Sequence, residues 1–257
     1  MADLPLSTNP VAESVPEITV ATVPSGRLAP VASAFHTVLL LTIVLGWSYL
    51  GVIRAGHIRG GVAPNRMAMY LTTMIFEWFL FALIYVGLRL RAVSMRQIIG
   101  PKWSSFQAVM IDLGVACVFW VCALIILTVA GRLLRITPEM QRSVFFLLPQ
   151  TGAEICVWIL LSTTAGICEE TIFRGYLQRQ FTSWTRSSVA GVVLSAVVFG
   201  AAHSYQGGRQ PFLIGIFGAL FGILAVMRKS TKPGMIAHAL QDSVSGIAAS
   251  LYFRLRH

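Results

Sequence analysis

The chain is short of charge. Asp, Glu, Lys and Arg make up 12% of its 257 residues, about half of the roughly 25% usual in soluble domains. So little charge cannot cover a water-facing surface, and lipid must be the solvent for much of the molecule. Cysteine is scarce as well. Cys117, Cys122, Cys156 and Cys168 all lie in apolar runs and none forms a CxxC pair. Neither a disulfide framework nor a thiolate metal site is indicated, and the four read as buried, inert thiols. HExxH is missing, so the usual zincin helix is absent. A basic leader is missing too, and the first apolar run is too long for a secretory h-region, so it is expected to stay in the protein. No internal repeat and no linker between soluble units is visible.

What is present is apolar sequence in blocks. Hydrophobic residues make up 56% of the chain and the mean hydropathy is +0.73. A helix needs roughly 20 apolar residues to cross the hydrocarbon. Residues 30–53 meet that without a formal charge, 67–88 with only Glu77, and 106–130 with only Asp112. Residues 187–203 and 211–227 are slightly short, and 233–253 contains His238 and Asp242. The run 155–168 is apolar and leads straight into Glu169 and Glu170. Backbone groups in lipid must be satisfied internally, which selects helices over open strands. The expected fold is all-α: a polytopic transmembrane bundle of about seven to eight helices with a polar intramembrane cavity. The short run 144–148 is the candidate for an eighth, interfacial helix. Residues 1–29 read as a mobile tail. Residues 30–150 read as N-terminal transmembrane helices, and 151–257 as the C-terminal helices of the same membrane domain.

The formal net charge of +10 does not point to nucleic acid. Lys and Arg fall in the loops between apolar blocks, where membrane proteins place them. Strict alternation of seven spans leaves a small excess of these residues on the side of the N-terminal tail. That leans towards a cytoplasmic N-terminus, in the plasma membrane if the chain is bacterial.

Ionisable groups inside spanning helices are expensive, and each is a functional candidate by default. Glu77, Asp112 and Glu154 stand alone in sequence and read more readily as structural. The C-terminal half carries spaced sets instead. In Glu169-Glu170-Thr171-Ile172-Phe173-Arg174, Glu170 and Arg174 sit at i and i+4, acid first, the favoured order for a helical pair. Glu169 points about 100° away and has no built-in counter-ion. A carboxylate taken out of water holds a proton more tightly, as a general base working near neutral pH must. A helix-end ion pair with a spare glutamate accounts for the same residues. Phe199 and His203 share a face of the next block. His238 and Asp242 share a face of the last one, which implies either a polar cavity or a buried His–Asp pair. Gly218-x-x-x-Gly222 reads as tight helix packing.

Taken together, EETIFRGYLQRQF, FGAAH and HALQD resemble the CAAX protease and bacteriocin-processing (CPBP, or Abi) family of intramembrane glutamate endopeptidases. That family includes the type II CAAX prenyl endopeptidases. Its pattern is EExxxR, then FxxxH, then HxxxN or HxxxD on successive helices. The resemblance implies a bundle of about eight helices and an endopeptidase. In it, Glu169 and His203 activate a water, His238 and Asp242 stabilise the oxyanion, and Glu170, Arg174 and Phe199 support the site. It implies a peptide or protein substrate, lipidated or not, within a lipid bilayer, and no cofactor or metal. Asp242 departs from the frequent Asn: an ionised aspartate cannot donate to an oxyanion. It must either carry a proton or orient His238. A zinc site from His203, His238 and a carboxylate is the mechanistic alternative. A proton-coupled carrier and a catalytically inactive scaffold or immunity protein are the functional ones. One geometric difficulty stands. Straight alternating helices put Glu169, His203 and His238 at different heights.

Overall fold

A computed structural model describes residues 29–137 and 145–254. All regular structure among these residues is helical, in eight helices. They are α1 (Ala34–Arg59), α2 (Arg66–Arg89), α3 (Met95–Ile99), α4 (Phe106–Leu133), α5 (Gly152–Thr185), α6 (Ser188–Ala202), α7 (Gln210–Arg228) and α8 (Lys232–Arg254). Polar residues in the loops start them. The side chains of Ser33, Asn65, Ser105, Thr151 and Ser187 each accept from a backbone N–H of the first turn, removing an orphan donor. Five helices are long and apolar enough to cross a membrane: α1, α2, α4, α5 and α7. The protein is a multi-pass integral membrane bundle. Polar groups are buried within its apolar core, and large apolar side chains cover its outside. Glu170, Thr171, Arg174 and Gln180 are buried, while Val118, Ile125 and Ile75 face outwards.

All seven expected spans are helical, with two departures at the margins. The stretch 89–101, expected as loop, contains α3. Ser94 and Gln97 form a reciprocal capping box there, and the Ile99 carbonyl accepts from the Thr231 amide at 2.9 Å. That bond ties α3 to the start of α8. The expected eighth helix near 144–148 is only a single 3₁₀ turn, Phe145–Leu147. Residue 144, and all of the expected 1–29 tail but its last residue, lie outside the described residues. The cysteines also differ from expectation. All four are free, but only Cys168 is buried; Cys117, Cys122 and Cys156 are exposed.

The difference in height is resolved by α5 and α6. α5 is one continuous rod of 34 residues, about 51 Å long at 1.5 Å per residue. Its middle turns, Glu170–Leu177, are wound as a π-helix. Arg186 takes a left-handed conformation (φ 57°) and closes α5, and α6 folds straight back. Glu169 lies seventeen residues before Arg186 and His203 seventeen after it, so an antiparallel hairpin brings the two level. α8 runs alongside the first half of α5. A Cβ on Gly166 would stand 2.6 Å from the Met235 carbonyl oxygen, so only glycine lets α8 come this close. That approach sets His238 beside Glu169. The Gly218-x-x-x-Gly222 reading holds. A Cβ on Gly218 would meet Phe199 at 2.9 Å, and one on Gly222 would meet Gln178 at 2.7 Å.

α5 is anchored from outside at the π segment and just after it. The Gln180 side-chain oxygen accepts from the amides of Val31 and Ala32, and its nitrogen donates to the Ala32 carbonyl. The Tyr176 hydroxyl lies 2.7 Å from His36 Nδ1 and 3.0 Å from Thr37 Oγ1. The lead-in to α1 is thereby fixed to the helix that carries the paired glutamates.

Candidate active site

Three elements supply the residues singled out from the sequence. α5 carries Glu169, Glu170 and Arg174. Phe199 lies on α6 and His203 closes it. α8 carries His238 and Asp242. The structure brings all seven together.

Arg174 Nη1 lies 2.8 Å from Glu170 Oε1, with both side chains buried. Its other Nη donates to the Gly218 carbonyl at 3.0 Å. The guanidinium carbon stands 4.3 Å from the Phe199 ring centroid and 5.1 Å from that of Phe221. Phe199 is thus the shelf on which the buried cation rests. Phe221, on α7, was not singled out. Its ring also stacks on His238 at 5.2 Å, and nothing in an apolar helix pattern distinguishes it from a core residue.

The ring nitrogens can be assigned from their partners. His203 Nδ1 is 2.8 Å from the Phe199 carbonyl oxygen. A carbonyl only accepts, so Nδ1 carries the proton. Nε2 then offers a lone pair towards Glu169 Oε1, 4.0 Å away. His238 Nδ1 lies 3.1 Å from Glu170 Oε1 and donates to that ion-paired carboxylate. Its Nε2 faces Glu169 Oε2 at 3.7 Å and Asp242 Oδ2 at 3.5 Å. Glu170 therefore fixes the His238 ring as well as neutralising Arg174. A Cβ on Gly234 would meet Glu170 Oε2 at 2.9 Å, so α8 also needs glycine at this approach.

Glu169 Oε2 is buried with no hydrogen-bond partner. The Glu169 side chain is 15% exposed, against 4% for His238 and 36% for Asp242. The cavity is therefore most open beside Asp242. Trp158 Nε1 donates to the Asp242 carbonyl at 2.9 Å and Trp120 Nε1 to Gln241 Oε1 at 2.6 Å. Two indoles thus brace α8 around the opening. Among the described residues, no set of three His, Cys, Asp or Glu side chains is disposed to hold a metal ion.

The three isolated acids divide. Glu154 completes a capping box with Thr151, and Asp112 pairs with Arg228 at 2.9 Å and accepts from Trp103. Both are structural, as expected. Glu77 is not accounted for this way. It is buried, its Oε2 has no partner, and it lies within electrostatic reach of Glu169, His238 and Asp242.

Fold and site together define a helical membrane protein with a glutamate–histidine cluster enclosed in its bundle. Residues 151–244 match the family model described as Type II CAAX prenyl endopeptidase Rce1-like. The resemblance carried by the three motifs is thus borne out over α5 to α7 and the first half of α8. The family implies a peptidase of the CAAX-protease-like kind, acting on a peptide or protein. No curated protein and no solved structure matches the chain.

Proposed function

We propose that the protein is an intramembrane endopeptidase in which Glu169 and His203 activate the attacking water. The observation that carries this reading is the pair of facing acceptors, Glu169 Oε1 and His203 Nε2, 4.0 Å apart. A water between them donates one O–H to each. When it attacks the peptide carbonyl carbon, one proton passes to Glu169 and a C–O bond forms. The carbonyl oxygen becomes an oxyanion beside His238 and Asp242. The C–N bond then breaks as the oxyanion collapses, the amine leaves with the proton held by Glu169, and the new carboxylic acid passes its remaining proton to His203, leaving a carboxylate. Peptide hydrolysis depends on donors aimed at the developing oxyanion. His238 supplies one when its ring is doubly protonated, with Nδ1–H held by Glu170 and Nε2–H free for the oxyanion. The substrate reaches the site past Asp242, the most exposed of the four, and a lipid group on it would remain in the bilayer. The excess of loop Lys and Arg supports a cytoplasmic N-terminus.

Purified protein incubated with peptide libraries should cleave them, and should continue to do so after exhaustive chelation. Loss on chelation with recovery on adding zinc would instead establish the zinc mechanism. Proton or solute flux in liposomes without cleavage would establish a carrier.

Asp242 refines the mechanism. Glu170 already orients His238, so Asp242 is left to act on the oxyanion, donating a proton where an Asn amide donates elsewhere in the family. Asp242→Asn should keep most activity and extend it to higher pH, because an amide does not titrate. Asp242→Ala should lose about 10²–10³-fold in rate, as for one oxyanion donor. Cleavage rates against pH for the two variants decide this. An Asn variant as inactive as the Ala variant, both folded, eliminates the donor role.

A further inference from the structure

Glu77 reaches the site from outside the segment matched to the peptidase family. α2 packs along the first half and the π segment of α5, and Glu77 is on its inner face, 5% exposed. Its Oε2 has no hydrogen-bond partner. Within its electrostatic reach lie Cys168 and Glu169 from α5, His238 and Asp242 from α8, and Tyr205 from the turn after α6. Arg174 and Glu170 answer each other. Glu169 and Asp242 therefore share one imidazole already engaged by Glu170, and Glu77 adds a third carboxyl within electrostatic reach of it. Carboxylates sharing a site away from water cannot all ionise, so the excess charge has to be met by protons. The deepest carboxyl is the one with least water to support a charge. Glu77 is that one, at 5% against 15% for the Glu169 side chain and 36% for that of Asp242.

We propose that Glu77 is a proton-bearing positioning residue of the catalytic cavity, which lets Glu169 stay ionised and aimed at the water. The rate effects rest on the peptidase reading; the protonation does not. An acid on α2 also gives the N-terminal half of the bundle a direct part in the chemistry of the C-terminal half.

Infrared difference spectroscopy on the detergent-purified protein tests the protonation without substrate. The Asp242→Asn protein, which lacks the other carboxyl proposed to carry a proton, should show at neutral pH the band of a buried protonated carboxyl, lost on adding Glu77→Gln and retained on adding Glu169→Gln. Absence of the band, or its survival on adding Glu77→Gln, overturns the proposal. Kinetics test the positioning. Glu77→Gln, which keeps a neutral group of the same shape, should cleave near the wild-type rate. Glu77→Ala should lose about 10²-fold in kcat, the scale for a displaced catalytic group, with KM little changed. A Gln variant as slow as the Ala variant, or an Ala variant as fast as wild type, overturns the positioning role. If the wild type cleaves nothing, the peptidase reading falls, and the band still decides whether Glu77 holds a proton.

Discussion

Glu169→Gln should reduce cleavage about 10²–10⁴-fold, the usual contribution of a positioned general base, and leave the fold intact. The amide has the shape of the carboxyl but cannot take a proton from water. The structure explains why stability should be spared. Among the described residues Glu169 makes no ion pair with Lys or Arg, and its Oε2 has no hydrogen-bond partner, so the substitution gives up only the longer approaches to His203 and His238, at 4.0 and 3.7 Å. It also removes one of several negative charges around His238. Peptide cleavage and thermal unfolding, measured on the same preparations, check both halves. Substantial turnover in a correctly folded Glu169→Gln protein would refute the assignment.

The second large effect falls on stability. Arg174→Ala should cost roughly 3–5 kcal/mol, the price of leaving one member of a buried pair without the other. The loss is broader than one ion pair. The Gly218 carbonyl loses its 3.0 Å donor, and the rings of Phe199 and Phe221 lose the cation between them. Glu170 keeps only His238 as a side-chain donor, so the orientation of that imidazole is lost along with its support. Arg174→Lys should rescue little, because one ammonium cannot reproduce a planar fork that reaches two acceptors. Glu170→Ala should be destabilised comparably. Yield and melting temperature in detergent, alongside activity, are the measurements. Variants that are inactive but as stable as wild type would make the pair catalytic rather than structural.

Much of this arrangement is written locally and was legible for that reason. Glu170 with Arg174 and His238 with Asp242 are one helical turn apart, so a spacing of four is enough to put them together. The apolar blocks set the spans, and glycines four residues apart marked the close packing of α7. What the sequence did not yield depends on long-range geometry. Glu77 has no polar neighbour at helical spacing, so along the chain it looks like Asp112, which turned out to be an ordinary ion-pair partner. Only the packing of α2 against α5 separates the two. Phe221 is likewise one apolar residue among many until Arg174 and His238 are placed on its ring. The equal height of Glu169 and His203 follows from where α5 turns, and a single left-handed residue, Arg186, fixes that.

The shortness of α6 bears on how the reaction is fed. Its 15 residues rise about 22 Å, less than the roughly 30 Å of hydrocarbon. His203 therefore ends a helix that does not reach the far surface, and residues 204–209 continue the chain below it. Exposed backbone at that depth is tolerated only when protein or water satisfies it. Ser48 and Ser204 both donate to the Ala201 carbonyl, and Arg59 to the carbonyls of Tyr205 and Gln206. A helix shorter than the hydrocarbon is accommodated by local thinning of the bilayer, which would bring bulk solvent within a few residues of the histidine. Hydrolysis consumes one water for every bond broken, and oil is a poor reservoir of it. The truncated helix acts as the well shaft.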